Sequence, residues 1–282
     1  MITSNPFAEL SASIPAATMQ AYVVLMFLLV IGGTILDMMH KKSAKYFFEN
    51  AKKAEKGAKR SVSSGEKVSM AVATVASEVL TSSEFQNPRR RLSHLFTMYG
   101  FIIFVASTVA LIFGYTGADA TAAPTWLTTA WHLGAASLCF GGYWFWFFIR
   151  VDVVSEGIKW YNLRQADIFI VSVLLMGTFA LLWSATMGAG TLNVLFSVLF
   201  IVASTVLFST VMWSKFAHMF FKPAAAYQKR TTRADGSREN LPLEYDLTDS
   251  AVQQKFPDIP EYLGKNPPNM GLGIKREASN HY

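Results

Sequence analysis

The sequence predicts an all-α, multi-pass membrane protein, and three observations predict it. The 282 residues are 52% hydrophobic and 14% aromatic but 16% charged, where a soluble domain is about a quarter charged. The apolar residues fall in blocks of roughly 20 or more, the length that spans a bilayer core. All 25 Lys and Arg lie in 40–94, 150–167 and 215–282, which hold 12, 3 and 10 of them. Read as five spans, the blocks put these three segments on one face and leave the other face without Lys or Arg. The positive-inside rule then sets the N-terminus outside and the C-terminus in the cytoplasm, and it favours five spans over four or six. The same rule accounts for a pI near 9.3 without a nucleic-acid partner. A single cysteine, Cys139, excludes an internal disulfide and a thiolate-held iron–sulfur cluster.

Each element follows from local chemistry. Residues 1–18 are small and polar, without the basic start of a cleavable signal, and read as an external segment. The first span, 19–39, stops at His40, Lys41 and Lys42. Residues 40–91 form a basic cytoplasmic insert, in which Val68, Val72, Val75 and Val79 recur at helical spacing, predicting an amphipathic interfacial helix. Residues 92–221 form a four-helix membrane domain, entered behind Pro88, Arg89, Arg90 and Arg91. Its spans run to Tyr115, from Trp126 to Ile149, from Ile168 to Thr186, and from Leu192 to Phe221. The tail, 222–282, has five prolines beyond Pro223, nearly balanced charge and isolated apolar residues. That composition predicts an extended arm laid on a cytoplasmic partner.

Two histidines then acquire depths. His94 lies about three residues, or roughly 4–5 Å, beyond Arg91, and His218 lies about four residues, or roughly 6 Å, short of Lys222. On helices of opposite direction this places both near the cytoplasmic surface. Two imidazoles at one depth on separate helices suit the axial ligation of a haem b. Arg90, Arg91, Lys215 and Lys222 supply cations at the rim for the propionates. The competing reading makes both histidines interfacial residues that face headgroups or a partner.

Resemblance bears on that choice. The strings Arg91-Leu92-Ser93-His94-Leu95-Phe96-Thr97-Met98-Tyr99-Gly100-Phe101 and Trp213-Ser214-Lys215-Phe216-Ala217-His218-Met219-Phe220 resemble those of membrane cytochrome b subunits. These belong to quinone-interacting oxidoreductases and heterodisulfide-reductase-like complexes. The tail, with Phe256-Pro257-Asp258-Ile259-Pro260, Asn266-Pro267-Pro268 and 271–277, is similar to that of adenylylsulfate reductase membrane anchors. The resemblance covers about 67–282. It implies a bacterial inner-membrane subunit, a haem b on His94 and His218, quinone as diffusible substrate, and a soluble flavin and iron–sulfur heterodimer as partner. Two-haem relatives carry a second, outer histidine pair. Phe101–Phe113 and Leu192–Val211 contain no histidine, so one haem is expected.

The remaining candidates divide between chemistry and structure. His132 lies about six residues, or roughly 9 Å, inside the outer face. With Trp131 it is a candidate for a quinone carbonyl, and a hydrogen bond to a neighbouring helix is the structural alternative. His40 reads as interfacial and His281 as solvated. Asp37, Asp152, Glu156 and Asp167 mark cytoplasmic helix ends, where a solvated or salt-bridged role competes with a proton relay. Gly100, Gly141 and Gly142 allow close approach of either a helix or a porphyrin. The expected function is a membrane anchor passing electrons between a soluble redox enzyme and the quinone pool. A haem-free structural anchor is the alternative; a transporter lacks the broken-helix pair and mid-membrane charge it needs.

Overall fold

The computed structural model describes residues 3–83, 85, 87–151, 159–216, 218–238 and 249–255; for Lys41, 43–46 and His218 it describes the backbone alone. All regular structure among the described residues is helical. Four helices are long and apolar enough to cross a membrane: α2 (Ala16–Lys41), α5 (Pro88–Gly114), α7 (Ile168–Ala185, preceded by a 3-10 turn at Gln165–Asp167) and α8 (Thr191–Ser209). Between α5 and α7 runs α6 (Thr125–Trp144), continued by a π-helical turn over Phe145–Ile149. It is the most enclosed of these helices, with Trp131, Ala135 and Leu138 fully buried.

Capping chemistry fixes where the helices begin. Asn87 accepts hydrogen bonds from the N–H groups of Arg89 and Arg90, and Pro88 occupies the first helical turn of α5. Small residues then let α5 and α6 touch backbone to backbone. A Cβ on Gly134 would lie 2.7 Å from the Phe104 nitrogen, and one on Gly141 2.5 Å from the Ser93 carbonyl oxygen. Ser93 Oγ donates to the Gly141 carbonyl at 2.8 Å and tightens the same seam. Gly100 faces the backbone of α6 and Gly142 faces Leu174 of α7. A helix therefore occupies the approach at all three glycines expected to admit either a helix or a porphyrin. At the end of α6, Arg150 is 8% exposed, packs 4.2 Å over the Trp146 ring and forks onto Asp167, joining α6 to the start of α7.

The N-terminal segment is ordered: α1 (Pro6–Ser11), capped by Asn5, folds onto the bundle. Its Phe7 is buried edge-on to Trp131 and Trp183. Asn5 Nδ2 also donates to the carbonyls of Tyr115 and Ala120 at 2.9 Å.

The fifth apolar block does not run unbroken to Phe221. Helix α8 stops at Ser209, and residues 211–216 turn back so that Val211 and Phe216 are buried. Val211 packs on Gly33 of α2, while Phe216 meets Phe169 and Phe208. Ser214 Oγ accepts from the Phe216 N–H, and Thr210 takes the N–H groups of Trp213 and Ser214. Local hydroxyl bonding and two buried apolar anchors outcompete continuation of the helix. His218 therefore opens a separate helix, α9 (His218–Ala234).

Nor is the start of the tail extended. Helix α9 packs on α4 (Ser64–Thr74) and on the π-helical turn Val75–Leu80 that follows it. Arg230 donates to Ser77 Oγ and to Glu78 at 3.1 Å, and the Asp235 carbonyl accepts from the N–H groups of Lys59 and Arg60. With α3 (Ser43–Lys56) these pieces form a helical layer beside the membrane domain. Asp152, Glu156, His281 and the tail motifs from Phe256 onward lie outside the described residues.

Candidate functional site

Residues 80–83 and Phe85 lie against the first turns of α5 and form a strap beside His94. Tyr99 donates its hydroxyl to the Leu80 carbonyl at 2.7 Å, and Arg91 Nε donates to the Thr81 carbonyl at 2.7 Å. Ser82 Oγ shares a 3.1 Å hydrogen bond with His94 Nδ1. Ser82 is 1% exposed and holds a left-handed backbone, φ 48°. That conformation is costly for a residue with a Cβ and persists where its surroundings enforce it. The Phe85 ring lies 4.9 Å from the half-buried imidazole.

Cations gather on the same ring. The Arg90 guanidinium and the Lys222 ammonium each lie 5.3 Å from the Phe85 centroid, within cation–π range. Lys222 comes from α9, so the break after α8 still returns the chain to His94. His218 precedes Lys222 by four residues in the same helix, which puts the two positions on one face of α9. The His218 side chain lies outside the described residues. Of the other rim cations, Arg91 is tied to the strap, and Lys215 lies exposed in the turn before α9, within electrostatic range of Asp167.

At the opposite end, His132 is buried with both nitrogens engaged. Nδ1 is 2.7 Å from the Thr128 carbonyl and Nε2 is 2.6 Å from Ser184 Oγ. Trp131 is fully buried and donates from Nε1 to Thr108 Oγ1 at 3.0 Å. These bonds tie α6 to α5 and α7, as the structural alternative for His132 expects. Asp37 is 3% exposed, so it is not a solvated helix-end carboxylate.

The sequence did not single out Ser82, Phe85 or Tyr99. Thr81, Ser82 and Ser83 are three consecutive hydroxyl residues, and nothing in their spacing distinguishes the middle one. Among the described residues, no three or more His, Cys, Asp or Glu side chains gather as a metal centre would need. Comparison with family models, curated proteins and solved structures finds no significant match. Fold and composition thus define a class, a helical multi-pass membrane protein. His94, under its strap and beside α9, is the site within that class with the most chemistry around it.

Proposed function

We propose that the chain is a five-span membrane anchor, N-terminus outside and C-terminus cytoplasmic, that links a soluble redox enzyme to the quinone pool. The span this reading adds to the four membrane-length helices is the third in chain order, α6 with its π-helical continuation. Its Thr, Gly and His residues lower its hydropathy, and α5 and α7 shield them from lipid. In the apolar stripe of α4 and its continuation, Val68, Val72 and Val75 are 50–64% exposed, which supports an interfacial position.

The observation that carries the reading is the convergence on Phe85 of His94 from α5 and Lys222 from the first turns of α9. The His94 imidazole would be a donor able to hold the iron of a haem b. In the tautomer that donates from Nδ1 to Ser82 Oγ, His94 carries its lone pair on Nε2, and a hydrogen bond of this kind orients metal-bound imidazoles. His218 is the proposed second ligand, and Arg90 and Lys222 the cations for propionates. Such a group would supply one-electron transfer. The protein's part is to fix the imidazole, place positive charge at the rim and keep the layer of α3, α4 and α9 between the site and the cytoplasm.

The resemblance to adenylylsulfate reductase anchors suggests the flavin and iron–sulfur heterodimer as partner, with sulfite and AMP as the source of electrons in a sulfur oxidiser. A second reading, a haem-free anchor, draws support from the helix packing at Gly100 and Gly141 and from the Phe85 ring against His94. Membranes carrying the chain and its soluble partner separate the two. Quinone reduction by sulfite plus AMP should be lost in His94→Ala while the partner remains bound. Unchanged quinone reduction in that variant favours the haem-free anchor.

A further inference from the structure

A pocket of about 190 Å³ opens between α1, α2, α5 and α8, far along α5 from His94. Its walls are apolar: Val23 and Met26 from α2, Val105 and Val109 from α5, Ile201 and Phe208 from α8. Leu10 and Ile14 close it at the α1 end. Three hydroxyls in the wall already have partners inside the bundle. Tyr22 OH is 3.1 Å from the Ile201 carbonyl and 2.9 Å from Thr205 Oγ1. Thr108 Oγ1 donates to the Phe104 carbonyl and accepts from Trp131 Nε1, and Ser204 Oγ donates to the Phe200 carbonyl. Thr18 sits at the exposed mouth.

A buried water needs two to four polar partners, and an engineered apolar cavity of about 150 Å³ stays dry while binding small hydrocarbons. The present pocket is larger and its inner hydroxyls are committed, so water is a poor occupant. A quinone ring is little better served, because the inner hydroxyls are committed and Thr18, at the mouth, is, among the described residues, the one pocket hydroxyl left for its carbonyls. Helices α2, α5 and α8 are each apolar enough to cross a membrane, so the medium outside the pocket is hydrocarbon. We infer that this pocket is a binding site for one acyl chain of a membrane phospholipid, with α1 as its cover. The inference stands apart from the proposed redox role, since no residue of the pocket belongs to the His94 site.

The test is photolabelling of the full chain in vesicles with a phospholipid carrying a diazirine in its acyl chain, mapped by peptide mass spectrometry. Labelling of Val109 and Ile201 should exceed that of the open lipid-facing positions Leu195, Val198 and Val202 roughly tenfold, reflecting a retained rather than exchanging chain. Excess unlabelled phospholipid should suppress it, and Val109→Trp should abolish the excess while labelling at Leu195 persists. The wild-type map alone decides the matter if that variant fails to fold. Equal labelling of pocket and open face overturns the inference. So does suppression by an isoprenoid quinone at concentrations where phospholipid has no effect.

Discussion

The Arg150–Asp167 pair offers the most quantitative test of how α6 and α7 are joined. The two side chains are 7% and 14% exposed, and Arg150 forks onto both carboxylate oxygens. Asp167 also accepts from the Arg164 N–H at 2.8 Å, while Arg150 reaches the carbonyls of Lys159 and Asn162. Removing the carboxylate in Asp167→Leu leaves a buried guanidinium, which costs about 3–5 kcal/mol. A chain of this size loses about 2–4 °C of Tm per kcal/mol, so the midpoint should fall by about 6–20 °C. Arg150→Met should cost a similar amount, and it also releases the Trp146 ring from its cation at 4.2 Å. The double variant leaves neither charge buried and should recover at least half the loss of either single change. Detergent-solubilised protein followed by tryptophan fluorescence reads all four midpoints. Singles that each cost under about 1 kcal/mol, as a solvent-screened surface pair would, refute the buried-pair account. Strict additivity in the double variant refutes it as well.

Other outcomes follow from the same geometry. Gly134→Leu drives a side chain into the Phe104 backbone and should cost at least about 1–3 kcal/mol, whereas Leu133→Ala on the exposed face should move the midpoint little. Truncation after Ser237 should keep the α4–α9 layer and release the proposed soluble partner from membranes; unchanged recovery of that partner would move the proposed docking to the 40–91 insert. The Glu66 carboxyl is held below its ordinary range by the Ser63 backbone N–H, with Arg60 adding to it. Its contribution to α4 is therefore full above the ordinary glutamate pKa and is lost as pH falls through the lowered value. Amide exchange in α4 should rise in acid, and Glu66→Gln should flatten that response.

How far the sequence foretold this architecture depends on which interaction decides each element. The membrane-length helices follow from composition and block length, because an unbroken apolar run of that length satisfies its backbone in lipid as a helix, whereas a barrel strand is shorter and alternates. Asn87 and Pro88 start α5 by local capping chemistry, four residues before the boundary that the charge pattern places at 92. The break after Ser209 is decided by tertiary burial of Val211 and Phe216 against α2, α7 and α8, and no periodicity announces it. Hydropathy alone extends the helix straight through it. The burial of Phe7 between two tryptophans is likewise a long-range event in a segment whose composition reads as a loose end. Arg90, His94 and Lys222 were legible from charge placement and depth. The Ser82 strap was not, because its selection rests on one unusual φ value and a contact to the next helix.

The proposed redox group at His94 and the start of α9 is open to a single spectrum, reduced minus oxidised in the visible, of the purified chain with haem counted per polypeptide. About one haem b per chain is the expected result, lost to the same extent in His94→Ala and His218→Ala and retained in His132→Ala and His40→Ala. A colourless protein that still holds its soluble partner contradicts it. So does a spectrum that survives His94→Ala but not His132→Ala.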